Sequence, residues 1–144
     1  MAIFGVGSIW DDDGELAPRF FETDSFILGW GKVSAEDLYS FVASLKAGDI
    51  LYLKSNQPGS RTIRVKGIGL VKESFISGFD PSKEDFKNPY SFSIPVAWIC
   101  QEPFKIVIPE KMGKMTNIRA ATVYEEYLPY VQAEIIAKII AAKK

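Results

Sequence analysis

The chain has no histidine and only one cysteine, Cys100, in 144 residues. Without histidine the commonest general base and the commonest transition-metal ligand are both missing, which excludes Ser-His and Cys-His catalysis and most zinc sites. A lone cysteine excludes an internal disulfide framework and fits a reducing compartment. Neither sign of charge is in excess: Lys+Arg number 17 against Asp+Glu 18, a net charge of -1. No global basic field therefore advertises nucleic acid, and any such partner has to be held by a local patch. Nowhere do about 18 apolar residues run consecutively, and Met1-Ala2-Ile3-Phe4 opens without a basic leader. The expectation is a cytoplasmic protein with no membrane association. What is present, 47% apolar and 24% charged residues, suffices for one core, and a single domain over residues 1–144 is expected.

The chain is organised around Ser34 to Val71. Ser34 reads as an N-cap with Asp37 three residues on, and Leu38, Phe41, Val42 and Leu45 recur at helical spacing up to Gly48, a residue suited to a left-handed helix end. Asp49 to Ser55 follows as a strand, Asn56 to Ser60 as a turn and Thr62 to Val71 as a second strand. Ile63 and Val65 share one parity and Ile68 and Leu70 the other, which predicts a bulge near Gly67. Ala2 to Ile9 alternates as a strand whose two glycines suggest close approach by a ligand or by a neighbouring strand. Asp11-Asp12-Asp13-Gly14 is a turn whose carboxylates lack the EF-hand spacing, so no metal is expected.

Arg19 to Leu28 fits helix or strand equally. Phe75 to Tyr90 reads as a long loop, Phe92 to Ile99 as a strand that Pro95 places at an edge or bulge, and Phe104 to Ile108 as one more strand. Lys111 to Thr122 is loop-like. A final helix, from about Glu125 or Pro129 to Ala142, carries Val131, Ile135, Ile136, Ile139 and Ile140 as its apolar face and should pack against the sheet. Five or six strands segregated from the helices favour an α+β fold with a curved, largely antiparallel sheet.

Taken together, Ile3-Phe4-Gly5-Val6-Gly7-Ser8-Ile9-Trp10, Ile27-Leu28-Gly29-Trp30, Leu45-Lys46-Ala47-Gly48-Asp49-Ile50, Leu53-Lys54-Ser55 and Ile63 to Gly69 resemble the EVE-type branch of the PUA-like superfamily. The likeness is to the modules at the N-terminus of McrB-type modification-dependent restriction ATPases, and it covers the first half of the chain. It implies a small pseudo-barrel with flanking helices and a pocket that takes a flipped, often methylated base between aromatic walls.

Such a pocket needs a planar aromatic to stack on, and edge-reading donors and acceptors. Trp10 and Trp30 are the candidate walls, while Trp98, alternating with Ile94 and Val96, is assigned to the core. Ser8 and Ser55 end two strands that would be neighbours in a PUA-like arrangement and could read a base edge. Lys54 could meet phosphate, although a solvent-facing lysine is the commoner case. Asn117 and Arg119 could read an amide edge and hold phosphate. Arg61, Arg64, Lys66, Lys111 and Lys114 would join Arg119 in a basic rim. Asp11, Asp12, Asp13 and Glu15, or Tyr124-Glu125-Glu126-Tyr127, offer carboxylates for acid-base work but lack partners at diagnostic spacing. The expected function is therefore non-enzymatic recognition of a base, modified by preference, in DNA or RNA, without a cofactor. The alternative is a stand-alone interaction protein that binds a free nucleotide or a protein partner, as a phage or mobile-element factor would when meeting host defence.

Overall fold

The parity switch in Thr62–Val71 is the feature on which the sheet turns. In the computed structural model, which describes residues 1–10, 14–27, 44–55, 60–74, 93–112 and 123–142 (the Trp10 side chain excepted), this strand, β6, spans Thr62–Val71 and pairs antiparallel with β5, Ile50–Ser55. Leu53 faces Gly67 while Lys54 faces Val65, so Lys66 is the extra residue of a bulge. The bulge predicted near Gly67 is present. It divides β6 between two further partners: the first half pairs with β8, Phe104–Val107, and the second with β7, Ser93–Cys100.

The remaining strands are β1, Ile3–Val6; β2, Ile9–Trp10; β3, Gly14–Glu15; β4, Ser25–Ile27; and β9, Val123–Glu125. The main sheet runs β4-β7-β6-β5-β1-β9 with β8 beside β6, and β2 and β3 form a separate hairpin. One pairing departs from the antiparallel expectation: β1 lies parallel to β5. The result is a curled mixed sheet, a half-barrel, flanked by helices α1, Ala17–Thr23, and α2, Pro129–Ala142. Most of the helix expected from Ser34 lies outside the described residues. It ends earlier than expected: Ser44 is the last helical residue, and a turn follows in which Gly48 is left-handed at φ +91° and Asp49 accepts the Ala2 and Lys46 N–H groups through its two carboxylate oxygens.

Alternation sorts the side chains between two faces. Phe4, Val6, Leu51 and Leu53 point to the side covered by α1, where they meet Phe20, Phe26, Ile94 and Val96. Ile3, Ile50, Tyr52, Ile63 and Val65 point to the side covered by α2, against Val131 and Ile135. The packing of α2 on the sheet agrees with expectation, but its apolar stripe is narrower than expected. Val131 and Ile135 are buried and Ile139 is partly so, whereas Ile136 and Ile140 are exposed. Trp98 packs at the edge of the α1-side core, donating Nε1–H to the Phe20 carbonyl at 2.8 Å and meeting Phe21 edge-on.

The stretch that fitted helix or strand is both. Asp24, left-handed at φ 50°, separates α1 from β4. Pro95 lies inside the sheet, not at its edge, paired with Ser25 of β4. Its carbonyl accepts Lys72 N–H at 2.9 Å, but proline has no N–H to return to Lys72, so the missing bond falls just past Val71, at the point where β6 ends.

The close approach expected at β1 is made by a neighbouring strand: a Cβ on Gly5 would lie 2.5 Å from the Tyr124 ring of β9. The Phe75 to Tyr90 loop lies outside the described residues.

Candidate functional site

Parallel pairing sends the C-terminal ends of β1 and β5 to the same place. Val6 stands opposite Leu53; two residues further on, Ser8 lies past the end of β1 and Ser55 closes β5, the two serines expected to be neighbours. Lys54 belongs to the Ile50, Tyr52, Lys54 parity of β5 and so points to the α2 side. Lys66, extruded by the bulge, arrives from β6, and Glu15 arrives on the β2–β3 hairpin.

Ser8, Glu15 and Lys66 form a closed triangle. The Ser8 hydroxyl, fully buried, donates to Glu15 Oε1 at 2.5 Å, and Lys66 Nζ donates to Ser8 Oγ at 2.9 Å and to Glu15 Oε2 at 2.6 Å. Glu15 Oε1 also accepts the Ala17 N–H at 2.9 Å, at the start of α1. Partial burial acts to raise the Glu15 pKa, but the hydrogen bonds from Lys66, Ser8 and Ala17, with the nearby ammonium charge, outweigh it and hold the carboxyl below its usual range. The triangle resembles a nucleophile with its base, yet its chemistry points elsewhere. An acidified carboxylate is a weak base, and a serine without exposed surface offers no attacking oxygen. What the triangle does offer outward is Glu15, the most exposed of the three, and one proton of Lys66 that has no acceptor among the described residues.

Behind it, on the α2 side, lies a second polar group. Tyr52 donates its hydroxyl proton to Glu126 Oε1 at 2.6 Å and so accepts from the Tyr124 hydroxyl, also at 2.6 Å. Glu126 Oε2 takes the Leu128 N–H at 3.1 Å, which fixes the entry to α2. Lys54 is completely buried with Nζ 5.0 Å from the centre of the Tyr124 ring. Desolvation pushes its pKa down to about 8, the Glu126 charge opposing and the Lys66 charge reinforcing the shift. Burial chiefly, with Tyr124 and Glu126 adding to it, raises Tyr52 far above the ordinary phenol range, and burial raises Tyr124. Among the described residues no buried side-chain nitrogen or oxygen lacks a hydrogen-bond partner.

The expected site residues divide accordingly. Ser8, Lys54 and Ser55 converge on one end of the sheet. Lys54 corrects the expectation of a solvent-facing lysine, because its strand parity directs it inward against Tyr124. The Trp10 backbone lies in β2, two residues past Ser8, while the Trp10 side chain, Trp30, Asn117 and Arg119 lie outside the described residues. The residues of the expected basic rim have different surroundings. Lys66 is tied to Glu15, Arg61 donates to the carbonyls of Ile108 and Pro109, Arg64 and Lys111 are exposed, and Lys114 lies outside the described residues.

Tyr52 is not marked by any motif in the sequence, and Glu126 enters there only as one carboxylate of the Tyr124-Glu125-Glu126-Tyr127 cluster. The signal available for Tyr52 and Lys54 was the parity of Ile50-Leu51-Tyr52-Leu53-Lys54, which assigns both to one inward face. Nothing local in the sequence marks the pairing of Glu126 with Tyr52, separated by 74 positions.

The Asp11 to Asp13 carboxylates also lie outside the described residues, and among those described no cluster of acidic and cysteine side chains could hold a metal ion. Among the described residues no helix is long and apolar enough to cross a membrane. No protein-family model matches the chain, and no curated protein matches it.

Proposed function

We propose that this domain is a non-enzymatic, PUA-like and EVE-like module that binds one base, modified by preference, of a nucleic acid at the C-terminal ends of β1 and β5. The observation that carries the proposal is the parallel register of those strands, which brings Ser55 to the same end of a curled sheet as Ser8, the buried anchor of Glu15 and Lys66, while Lys54 stays buried beneath. There Glu15 and Lys66 add an acceptor and a donor 2.6 Å apart. A carboxylate beside an ammonium complements the adjoining donor and acceptor on a base edge, and each oriented pair of such contacts discriminates by about 1–3 kcal/mol. Trp10, on the hairpin that follows Ser8, and Trp30 are the stacking walls of the proposal, with Asn117 and Arg119 as further contacts.

The half-barrel supports this reading because it leaves the strand ends fixed by a two-sided core, so that Ser8 and Lys66 are held rigidly before any ligand arrives. The experiment is a titration, followed by tryptophan fluorescence at low salt, with duplexes and single strands that carry unmodified, methylated or hydroxymethylated bases. Tighter binding of a modified strand supports the proposal. Binding of free nucleotides alone would transfer the site to the class of nucleotide-binding interaction proteins, and absence of all binding would remove the proposal.

A further inference from the structure

From Ser55, a row of side chains runs away from the strand ends across three strands. Ser55 stands directly opposite Arg64 on β6, and Arg64 stands directly opposite Lys105 on β8. Directly opposed residues of antiparallel strands project to the same face, so the three lie side by side. Their parity is opposite to that of Ile63, Val65 and Ile106, which enter the core under α2. Arg64 and Lys105 are exposed, as is Val107 in the adjoining position of β8, at 59%.

Two like charges directly opposite one another in a sheet repel, and the arrangement weakens the fold. Among the described residues neither Arg64 nor Lys105 forms an ion pair. The nearest carboxylates in sequence to Lys105, Glu102 and Glu110, lie beyond the two ends of β8.

We infer that the row Ser55, Arg64 and Lys105 is a track for the phosphates of a nucleic acid whose base occupies the neighbouring strand ends. It rests on the base-binding reading for its direction, because it is that site which gives the row a terminus. Its chemistry is sequence-independent. Two exposed cations a strand's width apart, about 5 Å, match the spacing of successive backbone phosphates closely enough for each to take one, and Ser55 adds a hydroxyl donor where the track meets the site. An anion laid across the pair removes the repulsion that the empty sheet bears.

The test uses the full chain and its Arg64→Gln, Lys105→Gln and doubly substituted forms. Binding of short single-stranded and duplex oligonucleotides, with and without a modified base, is measured between about 50 and 200 mM salt. Each substitution is expected to lower the slope of log affinity against log salt by about 0.7 for single strands or 0.9 for duplexes, a loss of roughly fivefold to eightfold at 0.1 M salt. The Tm should stay level or rise, because repulsion has been relieved. A double variant with an unchanged slope and a retained preference for the modified base overturns the track and leaves the base site standing. A reduced slope with no preference for any modified base supports the track and removes the base site. A wild-type chain that binds no oligonucleotide overturns both.

Discussion

Raising the pH from 8 to 10 should stabilise this protein, and replacing Lys54 by methionine should abolish the effect. Lys54 is completely buried and its pKa lies near 8, against the ordinary lysine value of 10.5. Between those two values the unfolded chain holds a proton that the folded chain has released. The unfolded state therefore binds more protons, and stability rises with pH across that window. A shift of this size corresponds to about 3 kcal/mol in all, of which about 2 kcal/mol is recovered between pH 8 and 10. Above pH 10 the sign reverses, because buried Tyr52 and Tyr124 keep protons that unfolded tyrosines lose.

Urea denaturation at fixed ionic strength, with the midpoint and slope recorded at several pH values, measures the change directly. The wild-type free energy should climb through the window and then fall, while Lys54→Met stays level to about pH 9 and then falls as unfolded tyrosines ionise. A level wild-type profile, or the same climb in Lys54→Met, would refute the assignment of a desolvated ammonium beside Tyr124.

The same packing gives three further expectations. Gly5→Ala places a methyl 2.5 Å from the Tyr124 ring, so it should displace that ring and cost about 1–3 kcal/mol in chemical denaturation. Tyr52→Phe deprives buried Glu126 of its hydroxyl donor and should cost about 1–3 kcal/mol, with loss of cooperativity between β9 and the start of α2 visible in hydrogen exchange. Truncation after Leu128 removes Val131 and Ile135 from the α2-side core and should unfold or aggregate the chain, whereas a truncated monomer of unchanged Tm would make α2 an appendage.

The parts of this fold that could be read from the chain are those governed by local pattern. Thr62 to Val71 announced both a strand and its bulge through the change of parity, and Pro129 to Ala142 announced a helix through its spacing. What escaped is non-local or depends on a single torsion. The junction of α1 and β4 hangs on Asp24 adopting a left-handed conformation that a residue other than glycine rarely takes. The exposure of Ile136 and Ile140 depends on how far the sheet reaches beneath α2, which helical periodicity cannot disclose.

The candidate site was legible to the same extent. Ser55 ends β5 as expected and Ser8 lies two residues past the end of β1, but Glu15 and Lys66 meet across 51 positions through a parallel crossover and a bulge. Lys54 looked like a surface residue because its charge was weighed ahead of its parity.

The central claim, a base stacked at the ends of β1 and β5, is tested most directly by measuring affinity for a modified-base oligonucleotide together with Tm in Trp30→Ala, with Trp98→Ala as the control. Trp98 is packed against Phe21 and bonded to the Phe20 carbonyl, so its truncation should cost about 3–5 kcal/mol of stability. Trp30→Ala should instead lose roughly fivefold to 150-fold in affinity, about 1–3 kcal/mol of stacking, while its Tm falls only modestly. Unchanged affinity in Trp30→Ala, or a folding defect as large as that of Trp98→Ala, would contradict the claim.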